Sequence, residues 1–453
     1  MKNSLSDETI EALAAPLRAA NADVARRWPG ESGRRQPVHV VYGGAQLFRS
    51  DSAPKIGAVA RRSLAEHAPD AAALALVIRM DREEDAEFAE ALYRRVAEKL
   101  EREPVEDFRI DFEDGYGNRS DAEEDGHAAA CALAVAKGME ERTLPPFLGI
   151  RVKSLGEETR RRAVRTLDVF LSTLLDATGG RLPDNFVVTL PKVTTPAQVT
   201  HFCDVLEKLE GALGLPSGAL RFELMVETTQ SLVGPDGRAA LPLLLDAARG
   251  RMAAAHFGTY DYTAACGITA AHQKMGHPAC LFALHAMQVA FAGTGVWLSD
   301  GSTAILPVPP HRAAAGAELT PAEEYENHES VHRAWRLHFD DVSHSLANGF
   351  YQGWDLHPAQ LVTRYAAVYA FFLTGVDAAA ERLRNFVEKA AQATLVGDVF
   401  DDAATGQALL NFFLRGINCG ALTEEETVRR TTLTFDELRG RSFLKILQNR
   451  RGG

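Results

Sequence analysis

The sequence predicts a (β/α)8 TIM barrel with an N-terminal helical extension and a C-terminal α-helical appendage. Three observations predict it. Eight short β-branched or aromatic runs recur between about residues 37 and 362. Most are separated by longer stretches of helical period rich in Ala, Leu, Arg and Glu. The runs read as strands covered on both faces, which in alternation with helices implies a parallel sheet. An open doubly wound sheet is the rival, disfavoured because no GxGxxG follows the first run.

In chain order the strand-like runs begin with PVHVVYGG near 37, FRIDFEDGYG near 108, PFLGIRVKS near 146 and NFVVTLPKV near 185. LRFELMVET near 220, AAAHFGTYDY near 253, GVWLSDG near 295 and GWDLHPAQ near 353 complete the set. EETRRRAVRTLDVFLSTLL and PAQVTHFCDVLEKLEGAL are typical of the helices between them. The chain divides into residues 1–36 as the extension, 37–362 as the barrel and 363–453 as a helical region without strands. About ninety residues separate Asp261 from the HPAQ segment, which predicts a lid or insertion over 263–350.

Composition narrows the function classes. Lys and Arg total 49 against 61 Asp and Glu, a formal charge of −12, so neither nucleic acid nor an anionic membrane is expected as a partner. Cys131, Cys203, Cys266, Cys280 and Cys419 are scattered, odd in number and without CxxC, a usage that fits a reducing cytoplasm. The N-terminal twenty residues lack the uninterrupted apolar core of a signal peptide. No apolar run approaches the ~18 residues of a membrane span. A cytoplasmic protein is the expectation.

Polar residues gather where the strands end, the face on which barrel enzymes place their chemistry. They are Asp111, Glu113 and Asp114 in DFEDGYG, Arg151 and Lys153 in GIRVKS, and Lys192 in TLPKV. Glu227 in MVETTQS, Asp261 in GTYDYTA and His357 in DLHPAQ follow. Any one could be a capping or salt-bridging rim residue; their recurrence on successive strands argues for a site. Glu227 and Asp261, about one βα unit apart, suit a hard cation such as Mg²⁺ (or Mn²⁺), which takes one or two protein carboxylates and keeps several waters. Arg151 and Lys192 would face them, and a cation beside a guanidinium is what a developing enolate oxygen requires.

The ordered series DFEDG, GIRVK, LPKV, MVET, GTYDY and GWDLHPAQ resembles the citrate lyase β-subunit/malyl-CoA lyase family. That family belongs to the phosphoenolpyruvate/pyruvate-type barrel superfamily, which also holds malate synthase and class II aldolases. The resemblance implies that Glu227 and Asp261 hold the metal, that Arg151 orients the substrate carbonyl and stabilises the enolate, and that Lys192 lines the pocket. It puts Glu113 and Asp114 in the metal's outer shell, assigns Gly258 and Thr259 to substrate binding, and has His357 close the site or structure its rim. The general base stays open among Glu113, Asp114 and a metal-bound water or hydroxide. Two positions depart from the pattern: Lys153 stands where the family usually has Asn, and MVETTQS lacks the Gly that often follows the Glu.

The resemblance thus implies a Mg²⁺-dependent carbon–carbon lyase or aldolase acting on a 2-oxo or hydroxy acid or its CoA thioester. A malate synthase-like condensing enzyme, a thioester hydrolase and a non-catalytic subunit are the alternatives. By analogy with such barrels, a homo-oligomer, trimer or hexamer, is expected. Arg49 and Lys55, the only candidates for a CoA phosphate grip, read better as solvated surface charge.

One motif competes. Residues 328–332 read HESVH, and His338 falls where an extended zinc-peptidase motif wants its third ligand. In that reading His328 and His332 bind zinc and Glu329 is the base. The motif's turn-forming Gly is replaced by Trp335, however, and a continuous helix would carry His338 roughly 240° off the ligand face at ~100° per residue. The segment EEYENHESVHRAWRLHFDDVSHSLANGF is read as one long helix.

Overall fold

The computed structural model describes residues 4–451 except 31–32, 81–85, 315, 389–393, 397–398 and 402. Parts of the expected N-terminal extension and C-terminal region therefore lie outside the described residues. The strands are β1 His39–Gly44, β2 Asp107–Asp111, β3 Phe147–Arg151, β4 Val187–Leu190, β5 Arg221–Val226, β6 Met252–Phe257, β7 Trp297–Ser302 and β8 Gln352–Asp355. They form a closed parallel barrel in sequence order, with β8 returning to β1 through His39 opposite Gly353. The predicted fold class is the one observed.

Period-two alternation decides what faces the lumen. In β2, Phe108 packs outward on Phe48, while Asp107, Arg109 and Asp111 turn inward. In β3, Gly149 and Arg151 share the inward phase. A Cβ at Gly149 would come to 2.1 Å from the Val187 carbonyl, so glycine is required there by the close approach of the β4 backbone, and it also leaves room beside the Arg109 side chain. Arg109 donates to Asp107 and to both carboxylate oxygens of Glu223 on β5, at 2.7 and 2.6 Å. His256 on β6 lies 3.1 Å from that same Glu223. The floor of the barrel is therefore an ionic plug rather than the usual branched hydrocarbon.

Helices sheathe the outside, and their apolar faces form one continuous core with the outward strand residues. The Gln360–Thr374 helix is buried along nearly its whole length and spans residue 362, where the barrel was expected to end. A second, smaller core follows among Leu383, Phe386, Leu410, Phe413 and Phe443. The C-terminal region is not strandless: β9 Thr394–Val396 pairs antiparallel with β10 Val399–Asp401. The missed signal is two short β-prone triplets flanking a Gly-Asp pair, a combination typical of hairpins.

The ninety residues after Asp261 also depart from expectation. They hold the Pro278–Phe291 helix, β7 and the Pro321–Ala347 helix, which are ordinary barrel units. Only the link from Thr303 to Thr320 is long, and the helix after it begins with a Thr320/Glu323 capping box. At the other end of the chain the Asp7–Arg27 helix has no buried residue. Among the described residues no helix is long and apolar enough to cross a membrane.

Candidate active site at the carboxyl ends of the strands

The DFEDG turn is folded around Asp111. Its Oδ1 accepts from the Glu113 N–H at 2.9 Å and its Oδ2 from the Gly115 N–H at 2.8 Å. The same carboxylate takes Arg151 bidentately, from Nε at 2.7 Å and Nη2 at 2.5 Å. The guanidinium also lies 4.8 Å from the ring of Tyr42 and 5.6 Å from that of Trp354. Its free edge, Nη1, is 3.2 Å from Glu113 and 3.8 Å from Asp114. Burial works against the cation, but Asp111 and Glu113 outweigh it, and Arg151 stays firmly protonated.

Lys192 follows β4 in the left-handed region, with φ of 52°. Its Nζ donates to Glu113 and, at 3.0 Å, to Asp114, and it lies 3.6 Å from Asp261 Oδ2. Its own backbone N–H donates to Glu227 Oε1 at 2.6 Å. One lysine therefore touches four of the five acidic residues that the sequence singled out, Asp111 being held by Arg151 instead.

Glu227 continues the inward phase of β5 and is 2% exposed. Gly258 makes room for it, since a Cβ there would sit 2.6 Å from Glu227 Oε2. Burial, and then the charge of Asp261, push the Glu227 carboxyl up to about 8, against the opposing pull of Arg151 and Lys192. Burial likewise raises Glu113 to about 6, with Arg151 opposing. Asp261 stands in the first turn of the Thr259–Ala265 helix and is half exposed to the barrel mouth.

A buried carboxyl that resists ionisation beside a second carboxylate has the donor chemistry of a hard-cation site. Glu227 and Asp261 are the two carboxylates here that could hold such a cation. No group of three or more His, Cys, Asp or Glu side chains is arranged for a metal among the described residues, so a two-carboxylate site is the form available.

Other predicted residues lie apart from this cluster. Thr259 is buried, and its hydroxyl oxygen packs against Gly301 on β7 without a hydrogen-bond partner among the described residues. His357 accepts the Ala359 N–H on Nδ1 at 3.2 Å, inside a turn also held by Gln360. Lys153 points away, to the Phe112 carbonyl at 2.7 Å and Glu124 at 2.9 Å. Arg49 caps the Gln46 and Phe48 carbonyls, and Lys55 pairs with Asp51 at 2.9 Å. Sequence reasoning missed Tyr42 and Trp354, whose rings are 4.2 Å apart beside Arg151. Both sit near the ends of strands that meet only when the barrel closes.

The HESVH residues belong to one continuous helix, Pro321–Ala347. His328 Nδ1 meets His67 Nδ1 at 3.0 Å, and His332 Nε2 bonds the His67 carbonyl at 2.6 Å. His338 is turned into the core, between Thr363 at 2.8 Å and Asp355 at 3.0 Å. His328 and His332 thus both pack on His67, while His338 faces away into the core, so the three motif histidines do not converge on one point.

A family model described as a domain of unknown function, DUF6986, matches residues 17–446. No curated protein matches by sequence. Among solved structures, a citrate lyase from Burkholderia xenovorans LB400 is 19% identical, with a TM-score of 0.53 over 76% of this chain and 92% of that one. The likeness shows a common fold. A CitE protein from Mycobacterium tuberculosis, in complex with magnesium, acetoacetate and coenzyme A, is 14% identical with a TM-score of 0.44, covering 86% of this chain and all of that one. A Haloferax volcanii malate synthase is 15% identical with a TM-score of 0.42, over 81% and 94% of the two chains.

Proposed function

The chain belongs to the DUF6986 family, and from that starting point we propose that it is a Mg²⁺-dependent carbon–carbon lyase or aldolase. Its substrate in this reading is a 3-hydroxy acid or the corresponding CoA thioester. The observation that carries the proposal is Glu227, a buried carboxyl beside Asp261, opposite a guanidinium locked in place at the same barrel mouth.

In the cleavage direction a base removes the 3-hydroxyl proton and the C2–C3 bond breaks. The electron pair passes to the acyl carbonyl as an enolate, which is then protonated at C2. Glu227 and Asp261 would hold Mg²⁺, which would supply Lewis-acid stabilisation of oxygen charge. Arg151 presents Nη1 to the enolate oxygen, its other edge being fixed on Asp111. Glu113, raised to about 6, holds or releases a proton near neutrality and is the best placed base. Lys192 remains charged and binds the substrate carboxylate, shifting from its acidic neighbours as the site fills.

The test is turnover of malyl-CoA, citramalyl-CoA and free 3-hydroxy acids with Mg²⁺ and with EDTA, and of glyoxylate plus acetyl-CoA for the reverse direction. Metal-dependent release of a 2-oxo acid that is lost in Glu227→Gln supports the lyase. Full metal-dependent turnover in that variant would falsify the site.

A further inference from the structure

The Asp7–Arg27 helix stands clear of the rest of the chain. Its 21 residues include no buried one, yet it presents Ile10, Leu13, Leu17 and Val24 in a seven-residue repeat with Ala20. An isolated helix of this length is marginal in water, and most helical stability comes from packing an amphipathic face. Pro16, inside the helix, removes a backbone hydrogen bond and weakens it further. The exposed stripe needs a partner.

A matching surface lies beside the root of the arm. There Gly30 N–H donates to the Gly293 carbonyl at 2.8 Å, and Arg27 pairs with Asp246. The Leu241–Ala247 and Pro278–Phe291 helices enclose a groove of about 720 Å³. Phe282, Ala286 and Val289 follow i, i+4, i+7 spacing along its floor. Leu243, Phe282 and Val289 are 46%, 59% and 84% exposed, on the outer ring of a barrel where polar residues belong. Of the described residues of the arm and its root, only Arg27 and the adjoining Trp28 line this groove, and Ile10, Leu13, Leu17 and Val24 lie outside it.

We propose that two copies of this chain exchange arms: the Asp7–Arg27 helix of each lies in the 241–247/278–291 groove of the other, about a two-fold axis. Such an isologous exchange covers both unpartnered surfaces at once. Complete covering of the exposed parts of Leu5, Ile10, Leu13, Leu17, Val24, Trp28, Leu243, Phe282 and Val289 would bury roughly 900 Å² per copy. A standard-size interface takes about 800 Å² from each partner. The two surfaces together are thus of the size class of a stable interface.

The experiment uses the full chain. Light scattering after size exclusion is expected to give a mass that is an even multiple of the 49.2 kDa chain. Leu13→Glu/Leu17→Glu on the arm and Phe282→Glu/Val289→Glu in the groove should each halve it. Both pairs are exposed, so circular dichroism should stay that of the parent. In a Cys266→Ser background, Leu17→Cys chains mixed with Val289→Cys chains should form a disulfide between the two kinds of chain. A monomeric parent at tens of micromolar, a mass that neither pair changes, or cross-linking of Leu17→Cys chains only to each other would overturn the proposal.

Discussion

Asp111 and Arg151 are register partners on neighbouring strands, and the carboxylate grips the guanidinium through two hydrogen bonds of 2.7 and 2.5 Å. The arrangement aims the remaining edge of Arg151 at the barrel mouth. Asp111→Asn puts an amide where a two-oxygen acceptor stood, leaving the guanidinium buried and badly paired. The expected result is a fall in kcat of about 10²-fold, comparable to losing one oriented donor, with a smaller change in KM. Arg151→Lys should not rescue it, since an ammonium cannot reproduce the fork. Steady-state kinetics on whichever substrate turns over would measure both.

Glu227→Gln separates stability from activity. The native carboxyl is costly to ionise because it is buried beside Asp261, and an amide of the same shape carries no charge. In metal-free buffer at pH 8 the variant should melt a few degrees higher than the parent. Calorimetric titration with Mg²⁺ should show binding to the parent only.

The charge cluster at the other end of the barrel predicts acid sensitivity. Burial raises the Glu103 carboxyl, but hydrogen bonds and charge from Arg35 and Lys99 outweigh it and bring the group down to about 2. Glu106 is lowered by the same two cations against its burial. A depressed carboxyl adds stability that is complete above its unfolded value, near 4.5, and is lost as pH falls toward 2. Urea midpoints measured between pH 5 and 2.5 should fall more steeply for the parent than for Glu103→Gln.

HESVH should prove to be packing. His328→Ala removes the contact with His67 and is expected to lower stability by about 1 kcal/mol, as loss of a neutral hydrogen bond does. The metal content of purified protein and its turnover should not change. Bound zinc that disappears in the variant would restore the peptidase reading.

Much of this architecture was legible because strand ends in a barrel carry polar residues in a recognisable order. Glu113, Asp114, Lys192, Glu227 and Asp261 do converge, since each follows its strand by only a few residues and the strands pair consecutively. What stayed hidden depends on closure. Tyr42 and Trp354 meet only because β8 returns to β1, which no local pattern announces. Arg109 and Glu223 sit inside runs that read as apolar strands, and their pairing reaches across the lumen between strands separated by two others. The arm's heptad was present in MKNSLSDETIEALAAPLRAA, but without coordinates it could not be told from a helix packed on its own barrel.

Filling the lumen with Arg109, Asp107, Glu223 and His256 has an engineering consequence. Buried ion clusters are often replaced by well-fitted hydrocarbon at no loss, or with a gain of 1–4 kcal/mol, provided the whole cluster is exchanged together. The plug's side chains pair with one another and with Thr189, and none of Glu113, Asp114, Glu227 and Asp261 is among their hydrogen-bond or ion-pair partners. A thermostable variant could therefore be sought by redesigning that interior layer as a unit, leaving the candidate site at the rim in its native sequence.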